Sequence, residues 1–117
     1  MKRPSNAVTF YRRADGTLTG YRAEGHTGYA EAGSDIVCAA VSALTQATLG
    51  GLKDVLGAPV MYEIDDQSAF LEAQLTPEAT REQLEGAQLL LETLRQALQA
   101  IQRDYPRNVH ISYEERR

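Results

Sequence analysis

Cys38 and His26 are the residues of this 117-residue chain whose types and spacing could carry out covalent chemistry: the one cysteine and one of the two histidines, twelve positions apart. A thiolate is a strong nucleophile, and an imidazole titrates near neutral pH, so a histidine brought to a cysteine makes a base and nucleophile pair. The span GHTGYAEAG, from Gly25 to Gly33, starts with that histidine's neighbour and holds three glycines with no sustained apolar period. It reads as a mobile loop long enough to fold His26 back over the next element. That element opens at Ser34-Asp35, either of which can cap a helix running through IVCAAVSALTQATL. With Asp35 as the cap, Cys38 is the third helical residue. It then lies in a turn whose unpaired N–H groups and dipole favour a thiolate and could hold an oxyanion in acyl transfer.

Each of these residues also has a plainer reading. A cysteine followed by Ala-Ala-Val on an apolar helix is commonly a small buried hydrophobe. Asp35 as a helix cap has no catalytic meaning, and its carboxylate, if close, would oppose thiolate formation unless it orients His26 instead. His26, Asp35, Cys38 and His110 can be counted as ligands, but no spacing among them resembles a zinc motif, so neither a metal nor a cofactor is expected. His110 falls on the polar side of a strand pattern, between Asn108 and Ser112. Glu63, Asp65 and Asp66 look like a solvated strand end and turn. Tyr21 and Tyr29 could line a pocket, although tyrosine in strands is commonly packing.

The elements that must position these groups are legible from pattern. Residues 7–13 and 17–24 flank Ala14-Asp15-Gly16, and an Asp-Gly step between β-prone runs marks a hairpin. Beyond the helix that carries Cys38, Gly50-Gly51 suggests a stop, yet Leu44, Ala47, Gly51, Leu52 and Val55 keep helical spacing toward Gly57. Residues 60–65 and 68–75 read as two more strands joined by Asp66-Gln67. Thr76-Pro77 then offers a helix start, with Pro at a position whose N–H would be unpaired anyway. Leu84, Ala87, Leu91, Leu94, Leu98, Ile101 and Tyr105 come next at steps of three and four, so the spacing predicts one long amphipathic helix ended by Pro106. Leu89 and Leu90 widen its apolar stripe, for a deep core or a dimer contact. Val109, Ile111 and Tyr113 alternate with polar residues as a last strand. The order ββαββαβ predicts an α+β fold: an antiparallel or mixed sheet of about five strands with two packed helices, in one domain over residues 1–117.

Composition sets the outer bounds. At 43% hydrophobic and 24% charged residues the chain is ordinary globular protein. A formal charge of −4 with scattered Lys and Arg argues against nucleic acid as a direct partner. A single cysteine excludes an intrachain disulfide. No signal peptide or apolar run of about eighteen residues is expected, which gives a cytoplasmic protein without a membrane partner.

The run Gly25-His26, followed by Gly33-Ser34-Asp35-Ile36-Val37-Cys38-Ala39, closely resembles the bacterial ribosomal-processing cysteine protease family, Prp, in the spacing from His26 to Asp35 to Cys38. The likeness extends to length, hairpin start, Leu-rich second helix and closing strand. It implies a homodimeric cytoplasmic enzyme that removes an N-terminal extension from a precursor of the twenty-seventh large-subunit ribosomal protein. Cys38 would then be the nucleophile, His26 the general base and Asp35 an assisting residue. Gly25, Gly28, Tyr29, Gly33 and Ser34 would belong to a substrate-binding loop ordered by substrate. Two other classes of function remain open at this point: a non-enzymatic ribosome-assembly protein with a structural thiol, and a thiol redox sensor.

Overall fold

The first two strands, buried on both of their faces over most of their length, set up everything else. The computed structural model describes residues 6–25 and 34–116, and for Ser34 and Asp35 the backbone only. In β1 (Asn6–Arg12) Val8 and Phe10 point to one face, and β2 (Leu18–Glu24) sets Ala23 and Tyr21 opposite them. The hairpin between them turns on Gly16, whose φ of 94° a side chain would strain, and on the Asp15 carboxylate, which accepts the Thr17 N–H at 2.9 Å.

β3 (Val60–Asp65) and β4 (Phe70–Leu75) form the second hairpin. β4 pairs antiparallel with β2, giving the order β3-β4-β2-β1-β5. β5 (Val109–Glu115) closes the other edge parallel to β1, with Asn6 opposite Val109, so the sheet is mixed. Both helices lie on the face of Val8, Phe10 and Tyr21. There Val37, Val41, Leu49 and Leu52 from the first helical segment meet Ala87, Leu91, Leu94 and Leu98 from the second. Each buried leucine contributes roughly 2 kcal/mol through the surface it removes from water.

α1 (Ser34–Gly50) does not stop at its glycines. It runs on as a wider π-type turn, Gly51–Val55, closed by the Leu56 N–H on the Gly51 carbonyl at 2.8 Å and by Gly57 at φ 69°. Close packing between this segment and α2 (Arg81–Asp104) accounts for Gly51 and for Gly86, whereas Gly50 has open space around it. A Cβ on Gly51 would come 3.3 Å from Leu90, and one on Gly86 would come 2.7 Å from Leu56. Leu90 thereby joins the core, whereas Leu89 stays 73% exposed.

Two expectations are corrected. Thr76-Pro77 opens a turn rather than the helix, with the Ala79 N–H on the Thr76 carbonyl. α2 begins four residues later because Thr80 and Gln83 form a reciprocal capping box: the Thr80 hydroxyl accepts the Gln83 N–H at 3.1 Å, and the Gln83 amide oxygen accepts the Thr80 N–H at 2.9 Å. Two satisfied donors outweigh one that Pro merely removes. The second correction concerns hydropathy. Ile36–Val55 is long and apolar enough, by length and composition, to cross a membrane. Its interspersed Ser, Thr and Gln hide that from a search for unbroken runs. In this fold its Val37, Val41, Thr45, Leu49 and Leu52 are buried.

Candidate active site

Cys38 faces a cleft because of helical phase. Val41, Ser42 and Thr45 come after it at steps of three, four and seven, so all four side chains fall on one side of α1. Val41 and Thr45 are buried and Cys38 is half-buried at the cleft wall. The cleft holds about 250 Å³ and lies at the end of the sheet where β1 starts and β2 stops, with Ile64, Asp65 and Leu71 on its far side.

Three contacts fix this end of the molecule. The Tyr21 hydroxyl donates to the Thr45 carbonyl at 2.6 Å and pins α1 to the sheet, and burial pushes that hydroxyl's ionisation well above the ordinary 10.0. Tyr21 is thus core packing and does not line the cleft. The turn between β3 and β4 is braced by the Asp65 carboxylate, which accepts the N–H groups of Gln67 at 3.0 Å and Ser68 at 3.4 Å. It ends on Ala69, at φ 55°, whose carbonyl accepts the Gly25 N–H at 3.0 Å. A side chain at Gly25 would be tight: a Cβ there would meet the Asn6 side-chain oxygen at 3.1 Å and the Ala69 methyl at 3.4 Å. The residue that precedes His26 is therefore anchored in the wall of the cleft that holds Cys38.

The helix start differs from expectation. Ser34 and Asp35 already have helical backbone, which a capping residue cannot have, so Asp35 is not the cap and Cys38 is the fifth helical residue rather than the third. The N–H groups without helical partners are those of the turn ahead of the thiol, residues 34 to 36 foremost. His26, Gly28, Tyr29 and Gly33 lie outside the described residues, as do the side chains of Ser34 and Asp35. His110 is exposed on the opposite sheet face, paired in register with Ala7. Glu63 is exposed on that face too, but Asp65 and Asp66 line the cleft together with Glu24. Among the described residues no three His, Cys, Asp or Glu side chains converge as a metal site would require.

One residue of the site escaped the sequence. Asn6 Nδ2 donates to the Cys38 sulfur at 3.5 Å and to the Asn108 carbonyl at 3.2 Å. No local pattern marks an asparagine at a strand start as a partner for a thiol. Only the pairing of β1 with β5 and the docking of α1 bring them together.

Known proteins share this architecture. The model of the family described as Cysteine protease Prp matches residues 7–110. The chain is 27% identical over 105 residues to the ribosomal processing cysteine protease Prp of Bacillus subtilis, covering 90% of this chain and 94% of that protein. A crystal structure of the ribosomal processing protease Prp from S. aureus with a substrate peptide superposes with a TM-score of 0.80 at 25% identity, over 93% of this chain and 99% of that one. A second, with a covalently linked product peptide, gives 0.76 at 26% identity over the same shares.

Proposed function

The chain belongs to the cysteine protease Prp family, and from that premise we propose that it is the endopeptidase that removes the N-terminal extension of the twenty-seventh large-subunit ribosomal protein precursor. Cys38 acts as nucleophile, His26 as general base and Asp35 as the residue that assists His26. The observation that carries this reading is the thiol itself, held at the wall of a cleft that is also lined by the anchored Gly25, one residue before the histidine. The substrate-bound and product-bound relatives support a peptide occupant. A lining that combines the apolar Val41, Ile64 and Leu71 with the acidic Glu24, Asp65 and Asp66 suits an extended peptide that mixes apolar and basic residues.

The chemistry proceeds in two halves. His26 takes the Cys38 proton, and the thiolate sulfur attacks the scissile carbonyl carbon while N–H groups of the first turn of α1 receive the oxyanion. Collapse of that intermediate breaks the C–N bond, His26 protonates the departing amine, and a thioester remains. Water, deprotonated by His26, then releases the acid and regenerates the thiol. A cytoplasmic setting keeps the thiol reduced, and a homodimer has apolar surface available at Leu89 and Val55, 73% and 85% exposed.

The test is mass spectrometry of the extended precursor after incubation with wild type, Cys38→Ala and His26→Ala, each verified as folded. One discrete shorter product with wild type and a loss of at least about a thousandfold with either variant is expected. An intact precursor with wild type under reducing conditions would return Cys38 to an assembly role or to redox chemistry. Alkylation of folded protein tells those apart, since a structural thiol resists it.

A further inference from the structure

We infer that Asn6 is a catalytic residue of this site, whose side-chain amide holds the Cys38 sulfur through a hydrogen bond and favours its anionic form during attack. The inference rests on the reading of Cys38 as nucleophile and adds to it a donor that the His26, Asp35 and Cys38 spacing does not contain.

The orientation of the amide is settled by its partners. An asparagine side chain ends in one acceptor oxygen and one NH2, and the two ends look alike until their partners are identified. Here the NH2 lies 3.2 Å from the Asn108 backbone carbonyl, which can only accept. The NH2 must therefore sit on that side, and its second hydrogen points at the sulfur 3.5 Å away. The side-chain oxygen is turned to Gly25, where a Cβ would come within 3.1 Å of it. Asn6 is 6% exposed, so the amide is held in one setting between α1, β5 and the end of β2. Its backbone N–H also donates to the Asn108 carbonyl, at 2.8 Å, which fixes the base of the side chain as well as its tip.

A donor in this place acts differently on the two states of the thiol. A neutral S–H is a weak acceptor, whereas a thiolate accepts strongly, so the same N–H bond stabilises the anion more than the neutral group. When the sulfur becomes bonded to a carbonyl carbon the charge leaves it, and the amide lets go at little cost. Asn6 thus complements the first turn of α1, which serves the oxyanion, by serving the nucleophile.

The experiment is the pH profile of iodoacetamide alkylation, read by mass spectrometry. It reports on Cys38 alone, since the chain has no other cysteine. Asn6→Leu keeps the volume and removes the donor, and the Asn108 carbonyl retains the backbone N–H of residue 6. Asn6→Asp keeps the shape and places an anion near the sulfur. With each variant verified as folded, the midpoint of the profile is expected to move up by about one pH unit in Asn6→Leu and further in Asn6→Asp, with alkylation at pH 7 about tenfold slower in the first. A structural role at the strand start would lower thermal stability without moving the midpoint. Should Asn6→Leu not fold, Asn6→Ala, which also removes the donor and adds no charge, decides in its place. A wild-type midpoint in a folded variant overturns the assignment of Asn6. Wild-type cleavage of the precursor in the same preparation shows that this failure is Asn6's alone, and a wild type that cleaves nothing overturns the role of both residues.

Discussion

The two faces of the sheet treat their polar groups in opposite ways. On the face away from the helices Tyr11 is fully buried under charged side chains. Its hydroxyl donates to Glu72 and accepts from Arg22 at 3.3 Å, and its ring lies 3.9 Å beneath the Arg116 guanidinium. Arg116 in turn reaches Gln74 at 2.7 Å and Glu114 at 2.8 Å, and Glu114 also accepts from Arg22 at 3.0 Å. On the helix face, at the cleft, the Cys38 sulfur has one donor among the described residues, Asn6, at a distance ordinary for a soft acceptor. A lattice with several partners for each group fixes positions and holds strands in register. A thiol held by one weak bond keeps the freedom to reach a carbonyl carbon. Rigidity is thus concentrated where no covalent chemistry is placed, and the reactive group stands on a stiff sheet without being locked by it.

If that division is real, damage to the lattice lowers stability and leaves the cleft's reactivity per folded molecule unchanged. The largest effect is expected from Gly20→Val. Gly20 pairs with both Tyr11 and Gln74, and a Cβ there would collide with the Ala73 carbonyl oxygen and come 3.2 Å from the Tyr11 ring. β2 and β4 would have to separate, at a cost of about 3 kcal/mol, visible as a lower urea midpoint. Alkylation of Cys38 in the surviving folded fraction should match wild type. Tyr11→Phe comes next, at about 1–2 kcal/mol, because it removes the hydroxyl between Glu72 and Arg22. It also has a pH signature. Burial first, and then the bond to Glu72, raise the Tyr11 ionisation above the ordinary 10.0. The unfolded chain therefore releases this proton before the folded one. The stability it represents is complete below pH 10 and falls as pH rises through the folded value. Tyr11→Phe should flatten that alkaline decline in a pH series of urea melts, and an unchanged decline would show that another group causes it.

The same contrast explains how much can be read in the chain. The sheet and helices are legible because their signals are local: Asp15-Gly16 for the hairpin, the three-and-four spacing from Leu84 to Ile101 for α2, alternation from Val109 onward for β5. The helix starts are less so. Thr76-Pro77 and Thr80-x-x-Gln83 both signal a start, and the choice falls to Gln83, whose side chain also reaches the Gly57 carbonyl at 3.2 Å, a partner 26 positions away that no local pattern reveals. At the site, Cys38 and the glycines beside His26 stand out because cysteine is rare and glycine permissive. Asn6 and the cleft side of Asp65 do not, since an asparagine 102 positions from Asn108 and 32 from Cys38 becomes a partner only through strand pairing. The lattice around Tyr11 is invisible for the same reason: its members come from β1, β2, β4 and the end of β5.

The smallest effect, and the finest test of the division, belongs to Glu114→Gln. Arg116 first and then Arg22 hold the Glu114 carboxyl below its ordinary 4.5. The unfolded chain takes up this proton at a higher pH than the folded one, so the contribution is present above pH 4.5 and is lost as pH falls through the folded value. Gln cannot titrate. Wild type and variant should therefore differ at neutral pH and converge in acid, and because these groups lie at the surface, 1 M salt should shrink the neutral-pH difference as the screening length falls to about 3 Å. A difference that persists in acid and in salt would mean that the carboxylate acts by packing rather than by charge. Precursor cleavage should stay at the wild-type rate throughout, because Glu114 and Cys38 sit on opposite faces of the sheet. A cleavage rate that fell with Glu114→Gln in fully folded protein would show that the lattice sets the geometry of the cleft after all, and the two faces would have to be treated as one device.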